Sequence, residues 1–146
     1  AFAASLVMQP NCPPAIAAQR SFVAACALRR ALSIYVDANS LSQKWPNDVL
    51  LNGGKVAGIL LESSGSGFSV DRLTIGIGVN LGNAPTDVSD ASFTPVGLAD
   101  VIHQTVPAET FLEVLAAEFA EVEHKLRMNL SYGFHSIKTN FGFGHD

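Results

Sequence analysis

The chain has 146 residues, 48% hydrophobic and only 15% charged, which is enough apolar material for one domain with a buried core and too much for a disordered chain. The formal net charge is −4 with no run of lysine or arginine, which excludes nucleic-acid binding through a basic patch. Two cysteines, Cys12 and Cys26, are too few for a disulfide framework and suit a reducing cytoplasm, and no stretch reaches the ~18 apolar residues of a membrane span.

The first residues carry neither the basic start nor the cleavage pattern of a signal peptide. Residues 2–9 are short, apolar and bounded by Pro10, which predicts a strand entered halfway, as if an N-terminal part preceded it. Pro13 and Pro14 open a helix, where proline suits the first turn. Ile16, Val23, Ala27, Ala31 and Ile34 then recur at helical spacing to about Val36. Gln19, Arg20, Arg29 and Arg30 fall on the polar side of that helix and are expected to be solvated. Cys26 falls in the apolar pattern and reads as a small buried hydrophobe.

Three strands follow in close order. Residues 41–45 lead into Pro46-Asn47-Asp48, and residues 49–51 run into Asn52-Gly53-Gly54. Asn-Gly is a strong hairpin signal because both residues tolerate positive φ. Residues 55–62 form the return strand, 63–67 a flexible loop, and 68–81 another strand. Residues 83–95 read as a loop, a short helix covers 97–104, and a longer helix follows Pro107. Its stripe is Phe111, Leu115, Phe119, Val122 and Leu126, with Glu109 in the first turn. Residues 132–141 are read as one more helix. The expected architecture is α+β, a mixed and largely antiparallel sheet with helices packed on it.

Polar chemistry concentrates in two places. Lys44-Trp45-Pro46-Asn47-Asp48 sits at a strand end, and the hairpin returns Lys55-Val56-Ala57-Gly58 beside it. A carboxylate, an amide and an ammonium then converge, which suits an anionic ligand, with or without a metal on Asp48. The same residues read equally as a surface turn and a solvated lysine, with Trp45 as packing. Gly76-Ile77-Gly78-Val79-Asn80 is the second place. Glycines inside a strand mark close approach of a ligand or of another backbone, and Asn80 at the strand end faces either a ligand or a tightly packed sheet. Other motifs fail. Gly54-Lys55 lacks the Walker A context, Gly76-x-Gly78 lacks the dinucleotide fingerprint, and the histidines have no metal-ligand spacing.

Taken together, Lys44 to Asp48, Lys55 to Leu60 with Glu62 after it, and Gly76 to Asn80 resemble the signature of the biotin–protein ligase family, in order and spacing. Trp45-Pro46 is the biotin-type version of a pattern that lipoate ligases share. The resemblance covers most of residues 2–140. It implies a catalytic domain of the class II aminoacyl-tRNA-synthetase-like fold. The implied reaction joins biotin to ATP with Mg²⁺, giving biotinyl-5′-AMP, and then passes biotin to a lysine of a biotin carboxyl carrier protein. By resemblance, Lys55 contacts the biotin carboxylate and α-phosphate, and Asp48 orients or deprotonates the acceptor lysine or helps hold the metal. Asn47 and Asn80 lie near the phosphates, Gly58, Ile59 and Leu60 line the biotin pocket, and Lys44, Trp45, Gly76 and Gly78 complete the ligand-binding set. Family members carry a Gly-Arg-Gly-Arg loop before the equivalent of Phe2, and many carry a small C-terminal β domain. Neither is in this chain. Residues 1–146 are thus expected to be a partial catalytic domain, self-associating through an open sheet edge. The alternatives are a non-catalytic, self-associating remnant and lipoate or octanoate transfer.

Overall fold

A computed structural model describes residues 1–87 and 92–132. The elements follow in the order β1 (Phe2–Met8), α1 (Pro14–Ala17), α2 (Arg20–Leu32), β2 (Leu41–Lys44), β3 (Asp48–Leu51), β4 (Gly54–Ser66), β5 (Ser69–Val79), α3 (Leu98–Ile102) and α4 (Ala108–Tyr132). The strands form one sheet, ordered β1-β5-β4-β3-β2, and every ladder is antiparallel. The parallel component among the described residues is an isolated bridge between Lys55 and Pro95. The α+β reading therefore holds.

Alternation along β5 sets the two faces of the sheet. Leu73, Ile75, Ile77 and Val79 are buried, and Thr74, Gly76 and Gly78 between them face the other way. Buried Val23, Ala24, Ala27, Leu28 and Ala31 of α2 belong to the same core as these residues, and α4 packs alongside α2. Phe111 of α4 is fully buried, with its ring 5.2 Å edge-on from Phe2 of β1. The predicted α4 stripe of Phe111, Leu115, Phe119, Val122 and Leu126 is buried throughout. At about 1.5–3 kcal/mol for each fully buried large side chain, this stripe holds α4 in place.

Several expectations need correction. The helix predicted from Pro13 to Val36 is two helices. Its chain tightens at residues 18–20, where Gln19 N donates to Ile16 O and Ser21 N to Ala18 O, both three residues back. It ends at Leu32, and Ile34 is 61% exposed instead of continuing the apolar stripe. Arg20 is not solvated. Its guanidinium is buried against Glu123 of α4, with Nη2 donating to Oε1 at 2.7 Å, while Nη1 holds the Ile16 carbonyl at 3.0 Å. Helical periodicity places an arginine by polarity alone and cannot see a partner 103 residues away. Arg30 lies between Glu118 and Glu121 of α4, and the paired carboxylates hold its guanidinium above its ordinary pKa although burial opposes them. The predicted loop at 63–67 is mostly strand. β4 runs on to Ser66 because β5 pairs with it through Ser69, which satisfies its backbone groups. Trp45 is 73% exposed and packs no core. Beyond Tyr132, the helix predicted for 132–141 lies outside the described residues.

Candidate active site

The face of the sheet opposite α2 collects the residues singled out by the sequence. Cross-strand partners align Lys44, Asp48, Gly58, Gly78 and Ala3 in one row across all five strands. The next row on β4, β5 and β1 is Leu60, Gly76 and Ser5. Leu60 is 61% exposed on this face, whereas Ile59 points into the core.

Local structure explains how the charged residues reach this face. Leu51 pairs with Gly54, and the two residues between them, Asn52 and Gly53, have φ of 50° and 81°. That is the left-handed pair a two-residue hairpin needs. The ladder then slips. Val49 pairs with Ala57, but Leu50 pairs with Lys55, leaving Val56 as the extra residue of a bulge. An unbroken ladder would pair Leu50 with Val56 and turn Lys55 to the core. The one-residue shift instead puts Lys55 on the open face, on the same side as Asp48. Lys55 Nζ lies 2.9 Å from Asp48 Oδ1, with the two side chains 44% and 27% exposed. An ion pair this open contributes only about 0–1 kcal/mol to stability. The pair therefore adds little to holding the fold together.

The bulge is held from the side. Lys55 N donates to Thr94 O at 3.0 Å, and Val96 N donates to Lys55 O at 2.9 Å. Asn80 Nδ2 donates to the carbonyls of Lys55 at 3.4 Å and Val96 at 3.2 Å. The amide of Asn80 thus ties the lysine-bearing bulge to its neighbour. On the other side, the Trp45–Pro46 peptide is cis, Ser21 Oγ donates to Pro46 O at 3.0 Å, and Ile59 N donates to Asn47 O at 2.9 Å.

Gly58 forms the floor. A Cβ at Gly58 would lie in ordinary van der Waals contact with the pair, 3.4 Å from Lys55 Cε and 3.8 Å from Asp48 Oδ1, so the bare backbone here leaves the space above it to a ligand. Gly78 next to it faces open space. A cleft of about 400 Å³ stands over this floor, lined by Asp48, Lys55, Gly58, Gly78 and Asn80 and walled by Pro85, Ser92, Phe93 and Pro95. Sequence reasoning passed over the wall residues. An aromatic residue in an otherwise polar loop was the available signal. Lys44 Nζ sits 4.0 Å from the centre of the Phe93 ring, a cation–π contact joining β2 to that wall. Trp45, Asn47, Ile59 and Leu60 line a second cleft of about 490 Å³ beside α1 and the start of α2. Nine of the predicted site residues therefore divide between two adjoining clefts, with Lys55 and Asp48 together in the first, whereas Lys44 and Gly76 line neither.

Among the described residues no group of three His, Cys, Asp or Glu side chains could hold a metal ion. Among the described residues Asp48 is the one carboxylate lining the first cleft. That suits an ion arriving on a phosphate-bearing ligand and not one held by protein alone.

The sequence profile of the biotin/lipoate A/B protein ligase family matches residues 2–80. The chain is 49% identical to a biotin–[acetyl-CoA-carboxylase] ligase of Paracoccus denitrificans over 141 residues, covering 94% of this chain and 58% of that protein. It spans little more than half of that relative. The apo structure of the Aquifex aeolicus biotin protein ligase superposes with a TM-score of 0.70 at 22% identity, covering 94% of this chain and 59% of the other. The structure of the same Aquifex enzyme with biotin and ATP gives a TM-score of 0.57 at 22% identity, covering 84% and 50%. The profile match over more than half of the residues, the curated relative and the shared fold lead to one conclusion: this chain belongs to the biotin/lipoate A/B protein ligase family.

Proposed function

We propose that this chain carries the chemistry of a biotin–protein ligase, which activates biotin with ATP and transfers it to a lysine of a biotin carboxyl carrier protein. The observation that supports this reading most is the Lys55–Asp48 pair over the Gly58 floor. In the first step a biotin carboxylate oxygen attacks the α-phosphorus of ATP, the bond to the bridging oxygen breaks, and pyrophosphate leaves. Two anions must meet, and the Lys55 ammonium is placed to stabilise the charge that develops between them. In the second step the neutral amine of the acceptor lysine attacks the acyl carbon of the mixed anhydride, an amide forms and AMP leaves. Asp48 orients that amine and takes up its proton. A bound Mg²⁺ would screen the phosphates, with Asp48 as its protein ligand. Gly58, Gly76, Gly78 and the exposed side of Leu60 form a smooth apolar surface for biotin. Lys44, Asn47 and Trp45 border the nucleotide, and Asn80 acts by holding the bulge.

Titration calorimetry of the full chain with biotin, with and without Mg-ATP, tests the proposal. Micromolar or tighter binding of biotin that strengthens with ATP is expected. Absence of heat from folded protein would mean a remnant without this activity. A preference for lipoate over biotin would favour lipoate transfer, which the scope of the family includes.

The reading extends to location and assembly. The described helices include none long and apolar enough to cross a membrane, consistent with a cytoplasmic enzyme. β1 is an edge strand bearing exposed Leu6 and Val7, which supports pairing with a second copy of the chain. Sedimentation velocity at micromolar concentration is expected to show a dimer or larger species, and a clean monomer would refute the association.

A further inference from the structure

The wall of the Lys55–Asp48 cleft is fastened at its base by a residue outside the cleft. Asp100, in the first turn of α3, accepts two backbone hydrogen bonds through Oδ2, from Gly97 N at 3.0 Å and from Ala84 N at 2.8 Å. These amides lie on either side of the connection that supplies Pro85, Ser92, Phe93 and Pro95 to the cleft. The two strands of backbone run against each other. A Cβ at Gly97 would overlap Gly82 O and lie 2.6 Å from Ala84 N, so nothing larger than glycine fits. Leu98 N donates to Asn80 O at 2.8 Å, which fixes the same point to the end of β5. From Gly97 the chain runs back one residue to Val96, whose amide, with the Thr94 carbonyl, brackets the Lys55 backbone.

We propose that Asp100 is a positioning residue for the proposed ligation. By closing the base of the connection it sets residues 94–96 against the bulge and so sets where the Phe93 wall stands over the Lys55–Asp48 pair. A carboxylate oxygen accepting two amides is a charge-assisted clasp, and loss of it leaves both amides without that partner. The catalytic part of this inference rests on the ligase reading, whereas the positioning part does not.

The test uses the full chain with Asp100→Ala and Asp100→Asn, the latter keeping a carbonyl acceptor in place. Amide hydrogen exchange of Lys55 and Val96 is measured first. In Asp100→Ala both should exchange about tenfold faster, as expected for loss of a clasp of this size, and Asp100→Asn should restore most of the protection. Unchanged exchange at Lys55 and Val96, with only a lower melting temperature, would overturn the proposal and reduce Asp100 to a helix cap. Steady-state ligation below the melting temperature is the second readout. The KM for ATP should rise several-fold in Asp100→Ala with kcat within about twofold, because the wall is displaced while the Lys55–Asp48 pair keeps its groups. An equal fall in kcat with KM unchanged would contradict the positioning role. A wild-type chain that ligates nothing would sink the ligase reading, and the exchange rates would still decide the positioning role. If Asp100→Ala does not fold, Asp100→Ser, whose shorter side chain cannot reach both amides, takes its place in the exchange measurement with the same outcomes expected.

Discussion

Lys55 Nζ and Asp48 Oδ1 stand 2.9 Å apart although Lys55 pairs across the sheet with Leu50 and not with Asp48. The lysine reaches diagonally along the sheet from beside a bulge that has turned it to the open face. The pair is too exposed to matter much for stability. Its charges are therefore available to a ligand.

The floor beneath that pair should accept a methyl group but not a branched side chain. Gly58→Ala places a methyl group 3.5 Å from Lys55 Nζ. That is ordinary van der Waals contact, so the fold should survive with stability changed by less than about 1 kcal/mol. Ligation should fall by about threefold or less, because the methyl group takes some of the ligand's space while the ammonium stays in place. Gly58→Val should abolish it. Kinetics alongside urea denaturation would check both halves, and full activity in Gly58→Val would refute the placement.

The buried arginine predicts a different pattern. Glu123 takes the Arg20 guanidinium through both oxygens and also accepts from Arg127 Nε at 3.0 Å. Glu123→Ala leaves Arg20 charged and buried, which should cost about 3–5 kcal/mol. Replacing both partners, as Arg20→Met with Glu123→Leu, should cost much less because no uncompensated charge remains. Denaturation midpoints of the single and double variants measure this. A double variant as unstable as Glu123→Ala would show that packing at this place matters more than charge.

Burial pushes the Cys26 thiol above its ordinary pKa, against the weaker pull of Arg30 and Arg29. The folded state therefore holds this proton more tightly than the unfolded chain does. The stabilisation is complete below the unfolded thiol value of about 8.5 and declines as pH rises above it. The matching chemical expectation is that Cys26 resists alkylation in the native protein at pH 8 while the half-buried Cys12 reacts. Mass spectrometry after a short iodoacetamide pulse distinguishes the two, and rapid labelling of Cys26 would contradict its burial.

Local signals account for what the sequence made legible. The Asn52-Gly53 turn, the alternation of β5 and the stripe of α4 each depend on residues close in the chain, and each appears where expected. Asp48 and Lys55 were placed together because a hairpin joins them. The features missed depend on distant partners. Arg20 is buried because Glu123 meets it, β4 extends through Ser66 because β5 pairs with it, and Val56 bulges while Thr94 and Val96 take up hydrogen bonds beside it. Phe93 lay in a segment that looked like an ordinary loop, and only the folded chain brings it over Lys44.

The central claim is that Lys55 stabilises the meeting of a biotin carboxylate with the α-phosphate of ATP. Biotin-dependent exchange of labelled pyrophosphate into ATP, measured on the full chain and on Lys55→Ala, tests it most directly. Wild type should exchange only when biotin is present, and Lys55→Ala should do so about 10²–10³-fold more slowly while remaining folded. Exchange by Lys55→Ala at the wild-type rate, or no biotin-dependent exchange by a folded full chain, would contradict the account.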